Sequence, residues 1–190
     1  MFIQHLRKET DPYHRALEQN HLSLALMDDK VSRDDLAIYL EKLYGFVQPF
    51  ESRYYDRLGE VFTDLETRKK AHLLQSDLSA MGSDASQAMQ INHETLDQVY
   101  PGQPELVGGL YVLEGSVLGG AIIHRHLVAK LGDYGGGYFP VYGKEIGTKW
   151  KGFMQQLEAY ANAENEAQII AGAKQTFELL DEWFARRCEL

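Results

Sequence analysis

The sequence predicts an all-α fold, a single helical bundle spanning residues 1–190. Three observations carry that expectation. Apolar side chains recur at helical spacing along most of the chain. Leu and Ala outnumber Val and Ile, a balance that favours helix over sheet. No segment reads as a convincing strand. A chain of 190 residues fits one domain with a continuous core and room for a cofactor-sized cavity.

The elements follow in order. Residues 1–20 place Ile3, Leu6, Thr10, Tyr13 and Leu17 on one helical face. Pro12 lies inside this run; it lacks a backbone donor and is expected to kink the helix or restart it with Asp11 as the cap. Ser32 and Asp35 form a capping-box pattern. The helix it opens carries Leu36, Tyr39, Leu40, Leu43, Tyr44, Val47 and Phe50 on one side, with a bend expected at Pro49. Residues 64–81 read as a helix stopped by Gly82, and residues 84–98 as a polar helix. Pro101 to Pro104 is a break. Residues 105–131 read as one long apolar helix with glycines inside it, and Tyr134-Gly-Gly-Gly-Tyr138 as a flexible loop ending at Pro140. Residues 144–162 and 165–187 complete the bundle, the last with Ile169, Ala173, Phe177, Leu180 and Phe184 in register.

Composition narrows the function. Hydrophobic residues make up 44% and charged residues 25%, ordinary values for a globular chain. The net charge of −9, from 19 basic against 28 acidic residues, argues against nucleic acid or an anionic membrane as partner. Cys188 is the one cysteine, so an intrachain disulfide and a cysteine-based zinc site are both excluded. The N-terminus has no signal-peptide run and no 18-residue apolar stretch stands out elsewhere, so a cytoplasmic protein without a membrane span is the expectation.

Two features invite chemistry. The segment from Leu110 to Ile123 holds Gly115, Gly119 and Gly120, each costing a helix about 1 kcal/mol relative to Ala. Gly115 and Gly119 share a face. A stripe without Cβ atoms lets a flat, rigid group approach the backbone; from spacing alone, tight helix packing is the stronger reading. Of the seven histidines, His14 lies near the apolar face of the first helix, with Glu18 one turn later, where a carboxylate can orient an imidazole. A di-iron bundle needs two Glu-x-x-His pairs, and Glu18-x-x-His21 is alone. P-loop and Rossmann glycine patterns are absent.

Taken together, these segments resemble a known family. Leu6-Arg7-x-x-Thr10-x-x-x-His14-x-x-Leu17-Glu18 is similar to the proximal helix of heme oxygenases. Leu113-Glu-Gly115-Ser-Val-Leu-Gly119-Gly120 resembles their distal helix, in the form seen in bacterial biliverdin-producing members. Thr148-Lys-Trp-Lys151-x-Phe153 and Gly172-Ala-Lys-x-Thr176-Phe177 look like later helices of the family. The resemblance implies that His14 ligates heme iron and that Glu18 sits beside that ligand. It further implies that Gly115 and Gly119 bring the backbone over the heme, and that Gly120 helps the bend. Arg7 and Lys151 match positions that hold heme propionates, with a solvated surface cation as the plain reading of each. Phe177 matches a pocket-lining position, with core packing as its plain reading. One departure stands out: many members carry Asp directly after the glycine matched by Gly115, where this chain has Ser116, a hydroxyl without charge.

The implied activity is oxidative opening of heme to biliverdin, with release of carbon monoxide and iron. Electrons come from an external ferredoxin, flavodoxin or reductase, for which a basic patch around the heme edge is expected. Because the resemblance extends to members paired with bacteriophytochromes, a bilin-accepting phytochrome is a candidate partner. Two rivals remain: a heme carrier or sensor on the same fold, motivated by Ser116, and a helical enzyme acting on a small aromatic such as a pyrimidine.

Overall fold

The computed structural model describes residues 2–186, so Cys188 lies outside the described residues. The described residues form nine α-helices joined by turns and short 3₁₀ segments, with no strand among them. The helices are α1 (Phe2–Glu18), α2 (His21–Leu26), α3 (Arg33–Leu58), α4 (Ala71–Ala80), α5 (His93–Val99), α6 (Gln103–Ser116), α7 (Gly120–Leu131), α8 (Ile146–Tyr160) and α9 (Glu166–Ala185).

Helix α9 is the spine. It packs against both α1 and α6, and its predicted stripe of Ile169, Ala173, Phe177, Leu180 and Phe184 is buried throughout. The α6–α9 crossing is a backbone contact. A Cβ on Gly108 would sit 2.1 Å from the Ile169 carbonyl oxygen, and one on Gly172 would sit 2.3 Å from that of Glu105. Only glycine allows that approach.

Helix α3 begins as the sequence predicts. The Ser32 hydroxyl accepts from the Asp35 amide at 3.1 Å, and the Asp35 carboxylate accepts from the Ser32 amide at 2.9 Å. Pro49 lies inside α3 and cannot donate to the Gly45 carbonyl. The amide of Ile91 takes that acceptor instead, at 2.9 Å. This corrects the expectation of one helix over residues 84–98. The chain there is a 3₁₀ turn at Ala85–Gln87, an extended stretch docked on α3, and then α5.

Four other expectations change. The first helix runs unbroken through Pro12, with no restart at Asp11. The predicted helix at 64–81 divides into a 3₁₀ turn, Leu65–Arg68, and α4, because Arg68 and Lys70 turn inward to buried acids. The predicted helix at 105–131 is α6 and α7, separated by a 3₁₀ turn at Val117–Gly119, where two successive glycines hold helical conformation poorly. The whole run Gln103–Leu131 is long and apolar enough to cross a membrane, contrary to the expectation that no such stretch exists. Its most apolar window is 61% buried within the fold, which is how a core helix behaves.

Candidate functional site

A cavity of about 780 Å³ opens between α1, the α6–α7 junction and α9, within the roughly 300–1,000 Å³ typical of small-molecule and cofactor sites. Helix α1 contributes Arg7, Thr10, Asp11, His14, Leu17 and Glu18 to its walls. The spacing of these residues is the α-helical repeat, so a single helix face presents them all. Gly115, Ser116, Leu118 and Gly119 form the wall from the α6–α7 junction, and Phe177 and Leu180 the wall from α9. The structure therefore brings together His14, Glu18, Arg7, Gly115, Ser116, Gly119 and Phe177 from the sequence analysis.

Neither ring nitrogen of His14 hydrogen-bonds to a described residue. Its Nδ1 lies 3.7 Å from Glu18 Oε1, within ion-pair reach but beyond a hydrogen bond. The imidazole also packs at right angles to Phe177 on α9, with ring centres 5.8 Å apart. The His14 side chain is 54% exposed, which leaves a nitrogen free for a ligand.

The glycines divide into two kinds. A Cβ on Gly115 would make ordinary contact with the Trp150 indole at 3.6 Å, and one on Gly119 would meet no protein atom within 4 Å. Protein packing does not require glycine at either position. Gly120 is outside the cavity lining, and a Cβ there would sit 2.2 Å from the Phe139 carbonyl oxygen. It is a packing glycine rather than part of the wall.

Lys151 is exposed and outside the lining; its neighbour Trp150 is the α8 residue that reaches the cavity. The lining itself carries little positive charge. Arg7 is its one arginine or lysine, against the carboxylates Asp11 and Glu18, and Asp11 is paired with Arg15 at 2.9 Å. Burial pushes the Tyr111 phenol up, while a hydrogen bond with Thr10 and the charge of Arg7 pull it back.

Several contributors escaped the sequence reading. Met27, Leu118 and Ile122 line the cavity and are exposed, Ile122 to 58%. Apolar surface facing an open cavity is suited to an apolar occupant. Tyr39 also lines it, its phenol pushed up to about 12 by burial. Its place on the α3 stripe reads as core, and periodicity cannot separate a core aromatic from one that lines a cavity.

The wall at α6 is held from behind by buried charge. Glu114, 1% exposed, accepts from Arg68 Nη1 at 2.6 Å, from Lys70 Nζ, and from the Tyr142 hydroxyl at 3.2 Å. Arg68 also donates to Asp64 at 2.8 Å and to the Lys149 carbonyl at 3.1 Å. The backbone amide of Lys70 donates to Glu51 at 2.6 Å. A buried carboxylate with this many donors is satisfied, whereas removing the carboxylate leaves the Lys70 ammonium without an acid.

These residues suit a flat, largely apolar, iron-bearing ligand such as heme: a free imidazole, an open glycine face, apolar walls and one arginine. Comparison with known proteins points to the same ligand. A family model described as heme oxygenase matches residues 1–186. The heme oxygenase PigA of Pseudomonas aeruginosa is 28% identical over 162 residues, 81% of this chain and 80% of the relative. The heme oxygenase structure from Leptospira interrogans superposes with a TM-score of 0.78 at 22% identity, covering 97% of this chain and 98% of the other. Heme oxygenase-1 from the cyanobacterium Synechocystis, solved in complex with heme, gives 0.77 at 17% identity, over 96% of this chain and 90% of the other. The NO- and CO-bound enzyme of Neisseria meningitidis gives 0.74 at 23% identity, over 100% of this chain and 95% of the other. At these identities the structural likeness establishes the all-α fold.

Proposed function

The chain belongs to the heme oxygenase family, whose model spans residues 1–186, and on that premise we propose that its cavity takes heme as substrate, with His14 as the iron ligand. Family membership makes it an oxidoreductase of the heme-degrading class. One observation carries the residue assignment. An imidazole without a hydrogen bond and a glycine whose missing Cβ leaves open space line the same cavity.

The side chains have separate tasks. His14 would supply a nitrogen to the heme iron, its ring set at right angles to Phe177 and its Nδ1 near the carboxylate of Glu18. Gly115, Ser116 and Gly119 bring backbone rather than bulk to the facing wall, so that a planar ring can lie against it. Arg7, in the lining, would pair with a propionate; Lys151, outside the lining, would reach one only from the rim. Met27, Leu118 and Ile122 exclude water from the faces of the ring.

Heme, when bound, supplies both the redox iron and the macrocycle that is opened to biliverdin, releasing carbon monoxide and iron. Electrons come from an external ferredoxin, flavodoxin or reductase. With one arginine against two carboxylates in the lining, any basic docking patch for an acidic donor lies outside the cavity itself. A bilin-accepting phytochrome is the partner proposed for the product.

Hemin titration followed by ascorbate tests this reading. The expected result is a shifted Soret band on binding, then its loss as a bilin band grows. A Soret band that persists through ascorbate treatment makes the protein a carrier. His14→Ala is expected to lose the histidine-ligated spectrum and turnover together; an unchanged spectrum removes His14 as the ligand.

A further inference from the structure

The Ser116 hydroxyl has one hydrogen, and it points along α6 to the Leu113 carbonyl at 2.8 Å. Ser116 Oγ also lies 3.4 Å from the Tyr138 hydroxyl. Because the serine hydrogen is already committed, the hydrogen on that second line must come from the tyrosine. The order is therefore Tyr138 O–H to Ser116 Oγ, and Ser116 O–H to the Leu113 carbonyl.

Tyr138 is built into this place. It is buried, and Ser116 is the hydrogen-bond partner of its hydroxyl among the described residues. The buried carboxylate of Asp77, on α4, accepts from the Gly137 amide at 2.7 Å and the Tyr138 amide at 2.9 Å. On the other side, the backbone of Phe139 fills the notch left by the missing Cβ of Gly120. The loop expected to be flexible is thus docked on both sides. A buried carboxylate spent on two loop amides, and a glycine notch that receives the next residue, together fix one phenol against one serine.

We propose that Tyr138 is a positioning residue that makes Ser116 a hydrogen-bond donor into the cavity. The geometry behind it is the 3.4 Å Tyr138–Ser116 contact, the 2.8 Å Ser116–Leu113 bond and the Asp77 anchor. When an acceptor oxygen occupies the cavity beside Ser116, the serine hydrogen turns from the Leu113 carbonyl to that oxygen. Tyr138 keeps donating to Oγ from behind, which strengthens the serine as a donor. An uncharged side chain thereby presents a directed hydrogen to the wall formed by Gly115 and Gly119.

This inference rests on heme binding in the cavity, and the test separates the two. Hemin-loaded protein is titrated with alkali and its acid–alkaline transition followed by visible absorption. A donor aimed at the titrating water favours the deprotonated form and lowers the midpoint. Tyr138→Phe and Ser116→Ala are each expected to raise the midpoint by about half to one pH unit. In a Ser116→Ala background Tyr138→Phe should add nothing, and Ser116→Thr should restore the wild-type midpoint. A midpoint unmoved by Tyr138→Phe, or moved equally with and without Ser116, overturns the proposal while heme binding stands. Absence of any Soret change when hemin meets the wild-type protein sinks both.

Discussion

Two sets of glycines in the bundle do opposite work. At Gly108 and Gly172 the missing Cβ is filled by another helix, with carbonyl oxygens 2.1 and 2.3 Å from where it would stand. At Gly119 the same absence is filled by nothing, and at Gly115 only by the ordinary approach of Trp150. The first pair lets α6 and α9 touch along their backbones. The second leaves the backbone at the α6–α7 junction bare toward the cavity, so no packing contact at these glycines locates the helix. That task passes to the opposite face, where Glu114 is gripped by Arg68, Lys70 and Tyr142. A helix that offers a bare wall to a ligand is held from its other sides, here by the buried apolar residues Leu106, Val107, Leu110 and Leu113 and by the buried charge at Glu114.

This contrast can be broken at three points. Glu114→Leu carries the largest expected effect. It leaves the buried Lys70 without its acid and Arg68 with Asp64 as its one remaining carboxylate, and should cost about 3–5 kcal/mol in denaturant unfolding. A loss under 1 kcal/mol would mean the open wall holds itself. Next comes Gly108→Ala, which drives a methyl into the Ile169 carbonyl and should cost about 1–3 kcal/mol. A neutral result would show that the α6–α9 crossing has slack. Gly119→Ala is the smallest in stability and opposite in sign. With nothing within 4 Å of the new methyl, the apoprotein should gain about 0.4–1 kcal/mol, while its hemin affinity falls because the methyl enters the cavity. Equal affinity in that variant would place the ligand elsewhere.

Much of the molecule was legible beforehand. The α9 stripe, the capping box at Ser32 and Asp35, and the segments bearing His14 and Gly115 all reflect near-neighbour spacing, which sequence records directly. The errors fall where a distant partner overrides local preference. Residues 84–98 leave the helix because Pro49 freed a carbonyl on α3 for Ile91. Residues 64–81 break because Arg68 and Lys70 are drawn to Glu114, 46 and 44 positions away. Lys151 and Trp150 are adjacent in sequence, yet Trp150 lines the cavity and Lys151 does not.

The sequence by itself determined the helical class, the imidazole on one helix and the glycine run on another, because each is written in residue type and a short repeat. Only the tertiary structure decided which glycines face a cavity and which face a carbonyl, and that Tyr138 stands behind Ser116. The reason is physical: a missing Cβ and a lone hydroxyl take their meaning from whatever the fold brings within 4 Å of them, and chain position alone does not specify that neighbour.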